Sequence, residues 1–486
     1  MRTTFTACIN CLALLAGAAY GQWSEPIPVS ANDQANMHPA AAGIGEHGLW
    51  AAWLEQHDLY SVVKGSYYDG GNWGPVQELS PQTLITVGPA LVQDSAHTGV
   101  LLSYYLGSSP TDEDTWGIYT VTMDSSGPCP PRRACLAPSL GIVELRMAAN
   151  GFGQAGIIYE TGSMVGIPEY IEFISRRDST WSDSLLVASG WEYPPSYFKV
   201  VGEPRIVGGR GDTFFLANWT YVNNQGSISS TVSVATVPPD TVIGSFGGDT
   251  PELAFSPGDG RLWLAFRAAT PADTGMGVRS YTRSGGWSDL QILDRTAAPA
   301  SLAADPSGYV WLAYVTGSHA NQTILARYAW AGGWSEPETV AVDSTAANPV
   351  IASDNSGRVW VLWARTLDAS RSQVLAAYRE LRPGIASGGR DWLPSAEFAV
   401  APNPSSGRVV IRVQLASDRS RPVLGIYDRS GRLVWPLAIP HSALGTTHYL
   451  TWDCRDMTGA RVPDGCYFVM VGNGAGGGCK KLVVTK

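Results

Sequence analysis

The chain has 486 residues and is 44% hydrophobic but only 15% charged, where an average soluble domain carries roughly 25% charged residues. Its length allows two or three domains with proper cores. A net charge of -9, from 33 Lys and Arg against 42 Asp and Glu, with no long basic run, excludes a nucleic-acid backbone or an anionic membrane surface as partner.

Reading from the N-terminus, Arg2 precedes an apolar stretch from Leu12 to Ala19, and the small residues Ala16-Gly17-Ala18 and Ala19-Tyr20-Gly21 offer two cleavage sites. Residues 1–21 therefore read as a secretory signal peptide. No Cys follows the apolar stretch where a lipid anchor would need one, because Cys8 and Cys11 come too early. Beyond Gly21 no apolar run reaches the roughly 18 residues of a transmembrane helix. Five Cys remain after export: Cys129, Cys135, Cys454, Cys466 and Cys479. Cys129 and Cys135 bracket Pro130-Pro131, which predicts a small disulfide-closed loop in an exported chain. No CxxC or HxxxH spacing accompanies them, so no metal site is expected. The three C-terminal Cys allow three pairings, and the odd total leaves one thiol over.

From Pro39 to about residue 390 the chain repeats itself every 50 residues or so, the period of propeller blades. A segment of the form PxxAxDxSGxVWxxW, a polar loop and a segment xxYxxxGGWSEPxxV recur, most clearly from Pro251, Pro299 and Pro349 and more faintly from Pro39, Pro89, Leu145 and Pro204. Apolar runs such as Val310-Trp311-Leu312-Ala313-Tyr314, set off by turns such as Asp305-Pro306-Ser307-Gly308, read as half-buried strands, four to a unit. The closing strand of a unit carries a Trp-Ser signature, as in Gly286-Trp287-Ser288 and Gly333-Trp334-Ser335, and the seventh unit lacks it. An orphan copy, Gly21-Gln22-Trp23-Ser24-Glu25-Pro26, follows the signal peptide. The expected fold is therefore all-β: a seven-bladed β-propeller over residues 22–390, closed by its N-terminal strand so that no sheet edge is left to template aggregation.

These repeats resemble the sialidase-like or BNR-like propellers of secreted bacterial proteins and, more loosely, the Trp-rich propeller lectins. The sialidase Asp-box, S-x-D-x-G-x-x-W, is not reproduced: Asp354-Asn355-Ser356-Gly357-Arg358-Val359-Trp360 sets the Gly three residues after the Asp and the Trp three further on. After a linker at residues 391–395, residues 396–486 look like the C-terminal sorting domain of type IX secretion cargo. The match runs through Asn403-Pro404, Tyr427-Asp428, Gly431-Arg432, Trp452-Asp453 and Gly465-Cys466-Tyr467. It departs at Cys454, where the family usually has Gly, and at Cys466, where it usually has Val or Ile. The resemblance implies an Ig-like sandwich similar to the flagellar hook-capping fold, the type IX machinery as partner, and a protein released from or attached to the bacterial outer surface. The alternating short strands behind the Gly- and Ser-rich stretch from Ile385 to Gly389 independently predict a small separate β-domain.

An aromatic recurs on the second strand of each unit, at Trp53, Tyr104, Tyr159, Trp219, Phe266, Tyr314 and Trp363, and reads as the packing layer between blades. A function must break the repeat. After the Pro of the innermost strand four units carry Ala40, Ala90, Ala300 and Val350, whereas three consecutive units supply Arg146, Arg205 and Glu252, with Glu144 and Glu203 two residues before the first two. Arg267 and Arg365 follow the aromatic position and are expected on the same face. These seven residues are the candidate ligand site at one mouth of the channel, suited to an acidic or hydroxyl-rich ligand. Asp112-Glu113-Asp114 lacks the spaced oxygens of a calcium loop and reads as solvated. No catalytic triad, phosphate loop or zinc motif stands out, and no cofactor is expected. The sequence is read as a monomeric, non-enzymatic binder of a carbohydrate or surface polymer. The alternative is a sialidase-like glycoside hydrolase whose Arg cluster holds a carboxylate sugar while a Glu or Tyr does the covalent or acid-base work.

Overall fold

The computed structural model describes residues 22–380 and 396–485, apart from 32, 46, 83–84, 94–98, 108–115, 137–140, 151–152, 163–168, 178–179, 194–196, 225–226, 238–240, 257–258, 270–273, 306–307, 318–321, 331–332, 355–357, 416–422, 429–432, 438–446, 457–458 and 473–476. The signal peptide, the linker, Asp112-Glu113-Asp114 and Gly431-Arg432 lie outside the described residues. The chain divides into two compact units, Met1–Leu381 and Arg382–Lys486. Every regular element among the described residues is a strand, and all the strand pairings are antiparallel apart from an isolated parallel bridge between Ser405 and Val484.

In the first unit the strands form sheets in simple up-and-down order, and a 16-residue strand, Thr241–Ser256, serves two sheets in succession. The leading strands of the sheets are Ala35–Ile44, Ile85–Gln93, Ile142–Ala149, Tyr197–Gly208, the second half of Thr241–Ser256, Ala298–Ala304 and Ala346–Ser353. Each packs against the next in chain order, and the last packs against the first, so their contacts close into a ring. Val310, Trp311, Leu312, Ala313 and Tyr314 are all buried. They were expected to be half-buried; a sheet covered on both faces by neighbouring sheets buries consecutive residues rather than alternate ones.

The orphan N-terminal copy closes the last sheet. Ile27 and Pro28 pair with Ala376 and Leu375, and Trp23 bridges Arg379. Ser24 donates its amide to Tyr378 O and accepts the Tyr378 amide on Oγ at 3.0 Å. Ser288 makes the same two bonds to Ser280 and Ser335 to Tyr328, so the Trp-Ser signature is a side-chain clasp between a closing strand and the strand before it. The Trp beside it packs on the neighbouring sheet: Trp334 on Trp263 at 5.6 Å, Trp23 on Trp311 at 6.3 Å, and Trp73 on Trp360 at 5.8 Å, the last joining the first sheet to the final one. The Asp of the recurring hairpin is equally structural. Asp354 accepts the Arg358 amide and Trp360 Nε1, and Asp305 accepts the Tyr309 amide and Trp311 Nε1.

Cys129 and Cys135 carry free thiols, which corrects the expected disulfide. The Cys129 amide bonds to Thr122 O, whereas Cys135 lies opposite Ile118. Both partners belong to the strand Gly117–Asp124. At roughly 3.3 Å per residue that strand holds the two cysteines farther apart than the about 7 Å limit for bridging.

The second unit has a three-stranded sheet, in which Val409–Leu415 pairs with Ala396–Ala401 and Thr447–Trp452, and a four-stranded sheet built on Val423–Asp428 and Gly465–Gly472. Val409, Ile411 and Trp452 of the first sheet share one core with Ile426, Val434, Val469 and Leu482 of the second. Asn403 ties its loop to the last strand, donating Nδ2 to Lys481 O and accepting the Val483 amide.

Candidate functional site

The ring sequence of the leading strands carries a recurring irregularity. Register shifts fall between Met37 and Ala40, Val87 and Ala90, Ile142 and Glu144, Gly202 and Arg205, Asp249 and Glu252, Pro299 and Ser301, and Ala347 and Val350. Four residues at these bulges, His38, Glu203, Thr250 and Asn348, have φ near +50° and each precedes a Pro. A bulge leaves one residue out of the ladder and re-aims the side chains beside it. That irregularity positions the charged candidates.

Glu144 is the hub. Its Oε1 receives Arg146 Nη2 at 2.6 Å and Arg205 Nη1 at 2.8 Å, and Arg205 Nε reaches Glu252 Oε1 at 2.6 Å. Three consecutive leading strands are thus joined by one chain of ion pairs. Arg205 also donates to Pro204 O and is only 16% exposed. Burial works against its charge, but Glu252 and Glu144 outweigh burial and raise its pKa above the ordinary arginine value. Arg146 differs. Solvent reaches 43% of its side chain although protein crowds it closely, and that crowding together with the Arg205 charge lowers its pKa.

Glu203 faces the next sheet, where it accepts the Thr250 amide at 2.8 Å. Burial raises its pKa, with Arg205 opposing. Arg267 forms a two-pronged pair with Asp249, both bonds 2.7 Å, and is 55% exposed. Asp249 adjoins Thr250, so Arg267 stands beside the cluster. Arg365 is held instead by Asp343, which also accepts Trp363 Nε1; it ties the last sheet to the segment that leads into it from the strand Glu338–Val342, and among the described residues no bond joins it to the cluster.

Glu160 was missed in the sequence. Register sets it opposite Glu144, and its Oε2 accepts the Glu203 amide at 3.2 Å. Burial, then Glu144 and Glu169, push its carboxyl up to about 7. The signal was present: Glu160 follows Tyr159 as Arg267 follows Phe266, but only Arg was sought there. Glu169 is similarly occupied by the Val201 amide, so carboxylates of one sheet satisfy amides along the leading strand of the next.

The aromatic layer is packing in six places, where Trp53, Tyr104, Tyr159, Phe266, Tyr314 and Trp363 are buried. The seventh was misaligned by one residue. Gly202 pairs with Trp219 and Arg205 with Ala217, so Asn218 lies across the bulge as Phe266 does in the next sheet. Asn218 is buried, and Trp219 is left half-buried on the opposite face.

No protein-family model and no curated protein matches the chain. Among solved structures it is similar to a protein of unknown function from Dyadobacter fermentans, at 12% identity and TM-score 0.47, over 74% of this chain and 100% of that one. It is also similar to a Hadza microbial sialidase, at 16% identity and TM-score 0.40, over 68% and 76%. A third is PorZ, a surface component of the type IX secretion system of Porphyromonas gingivalis, at 15% identity and TM-score 0.36, over 95% and 61%. Likeness at this level says nothing of chemistry. Among the described residues no helix is long and apolar enough to cross a membrane.

Proposed function

We propose that the chain is an exported, seven-bladed β-propeller with an Ig-like sorting domain at residues 396–486, and that it binds a hydroxyl-rich polymer at the mouth of the propeller channel without cleaving it. The closed cycle of leading strands and the clasp at Ser24 support the blade count and the closure. The motifs from Asn403-Pro404 to Gly465-Cys466-Tyr467 support export by a type IX system to the surface or the medium, with residues 391–395 as linker.

One observation carries the binding reading: Glu144, Arg146, Arg205 and Glu252 meet where three successive repeats abandon a small residue. The same geometry weighs against the sialidase-like hydrolase. Such a site needs guanidinium groups free to hold a substrate carboxylate, whereas Arg146, Arg205 and Arg267 each already hold a carboxylate of the protein.

The test separates two arginines on a glycan array. Arg146→Ala should weaken binding about tenfold with the melting temperature nearly unchanged, because Glu144 keeps Arg205 as partner. Arg205→Ala should cost roughly 3 kcal/mol of stability, since it strands Glu252 and leaves Glu144 with only the more exposed Arg146. Turnover of a fluorogenic sialoside by the wild-type protein would replace this reading with the hydrolase.

A further inference from the structure

The sheet that contains Arg205 is built differently from its neighbours. Inside a short edge strand, Trp191–Tyr193, its strands Tyr197–Gly208, Phe214–Asn224 and Ser227–Val237 run 12, 11 and 11 residues. The corresponding second and third strands elsewhere run 7 to 9. The extra length lies beyond Asn218 and the bulge, where Trp191–Tyr193 adds a short outer strand along Tyr197–Lys199, so a wall of strands rises next to the ion-pair cluster.

Alternation gives the wall two unlike faces. Phe198 and Val200, Trp219 and Tyr221, and Ile228 and Ser230 share one face through the pairs Val200 with Tyr221, Phe198 with Asn223, Tyr221 with Ser230 and Asn223 with Ile228. Phe198 stacks on Tyr221 at 5.8 Å and Trp219 lies 6.0 Å from Tyr221. All three rings are half-buried and Ile228 is 63% exposed. The opposite face carries Lys199, Thr220, Ser227 and Ser229 beside Val222 and the buried Val201. Trp219 Nε1 donates to Ser230 Oγ, which donates to Gly248 O, next to the Asp249–Arg267 pair. The aromatic face therefore begins where the charged cluster ends.

We infer that Phe198, Trp219 and Tyr221 form a stacking platform for a saccharide chain that continues from the charged cluster, and that this chain is uncharged or carries amino groups rather than acidic groups. The inference rests on the glycan-binding reading above and specifies its ligand. Aromatic faces offer broad apolar area to the C–H side of a sugar ring, and the polar groups beside them fix its hydroxyls. Charge selects the class: Glu144, Glu160, Glu169, Glu203, Asp249 and Glu252 outnumber Arg146, Arg205 and Arg267, and each of these arginines is already paired. An acidic polysaccharide would face repulsion from these carboxylates, and the arginines among them are already engaged.

The experiment is calorimetric titration of residues 22–486 with hexasaccharides of β-1,4-glucose, β-1,4-N-acetylglucosamine, α-mannose and glucosamine, and with oligogalacturonate and oligosialate. At least one uncharged or amino probe should bind tenfold or more tightly than either acidic probe. Trp219→Ala and Tyr221→Ala should each weaken that binding at least tenfold, while Thr220→Ala and Ser229→Ala on the other face leave it unchanged. Should Trp219→Ala lower the melting temperature by more than a few degrees, Tyr221→Ser and Phe198→Ser carry the test. Saccharide binding that survives all the platform changes but fails in Arg146→Ala would overturn the platform and keep the proposed function. A preference for the acidic probes would overturn the ligand class. Absence of binding to every probe would sink both.

Discussion

Glu160 shows how one side chain can tie native stability to pH. Its carboxyl accepts the Glu203 amide while burial and neighbouring carboxylates raise its pKa from 4.5 to about 7. A carboxyl with a folded-state value above its unfolded value holds its proton more tightly in the native state. Native stability from this group is therefore full below about pH 4.5, declines as pH rises to about 7, and is level beyond. Glu160→Gln keeps an acceptor for the amide but removes the charge, so it should stabilise the protein at pH 8 by roughly 1–2 kcal/mol, allowing for partial solvent access. Urea unfolding at pH 5 and pH 8 checks this; equal midpoint shifts at both would refute it. Single residues also mark the limits of sequence reading. Arg146, Arg205 and Glu252 were legible because they break a repeat. Asn218 and Trp219 were misassigned because the position across the bulge, aromatic in the other units, carries Asn218 here and an aromatic stands directly beside it. Cys454 runs the other way: it has φ +58°, a backbone state that favours Gly, which accounts for the Gly usual there in the sorting domains it resembles.

At the scale of elements, the repeat made the sheets legible and the missing signature of the seventh unit located the closing strand. What stayed hidden was pairing set by loop geometry. Cys129 and Cys135 look adjacent in sequence, yet each bonds to a different part of the same strand. The closing strand is short, and its hold comes from the Ser24 clasp, the Ile27–Pro28 pairs and Ser30, which accepts the Val374 amide on Oγ. Deleting residues 22–30 removes all three and bares the backbone edge of the strand Ser372–Glu380. Such an edge invites pairing with a second chain. The truncated protein should melt several degrees lower and form dimers or larger species on size-exclusion chromatography. An unchanged melting temperature with a single monomer peak would mean that the strand is dispensable for closure.

At the scale of the whole molecule, the two units have separate cores. Val409, Ile411, Trp452 and Leu482 pack with one another in the second unit, while the clusters around Trp363, Tyr314 and Trp53 belong to the first. Each unit also completes its own sheets: the last sheet of the first unit takes its edge strand from Ile27–Pro28, not from the C-terminal residues. Removing residues 396–486 should therefore leave the first unit folded, with its melting temperature within a few degrees of the full chain. That independence makes the proposed sorting role testable without confusing it with misfolding. In a type IX-competent bacterium the truncated protein should accumulate in the periplasm, while the full chain reaches the surface or the medium. Cell fractionation with the purified truncated protein as a folding control distinguishes the outcomes. A folded truncated protein that still appears outside the cell would show that export does not depend on residues 396–486. A truncated protein that has lost its cooperative melt would instead contradict the separation of the two cores.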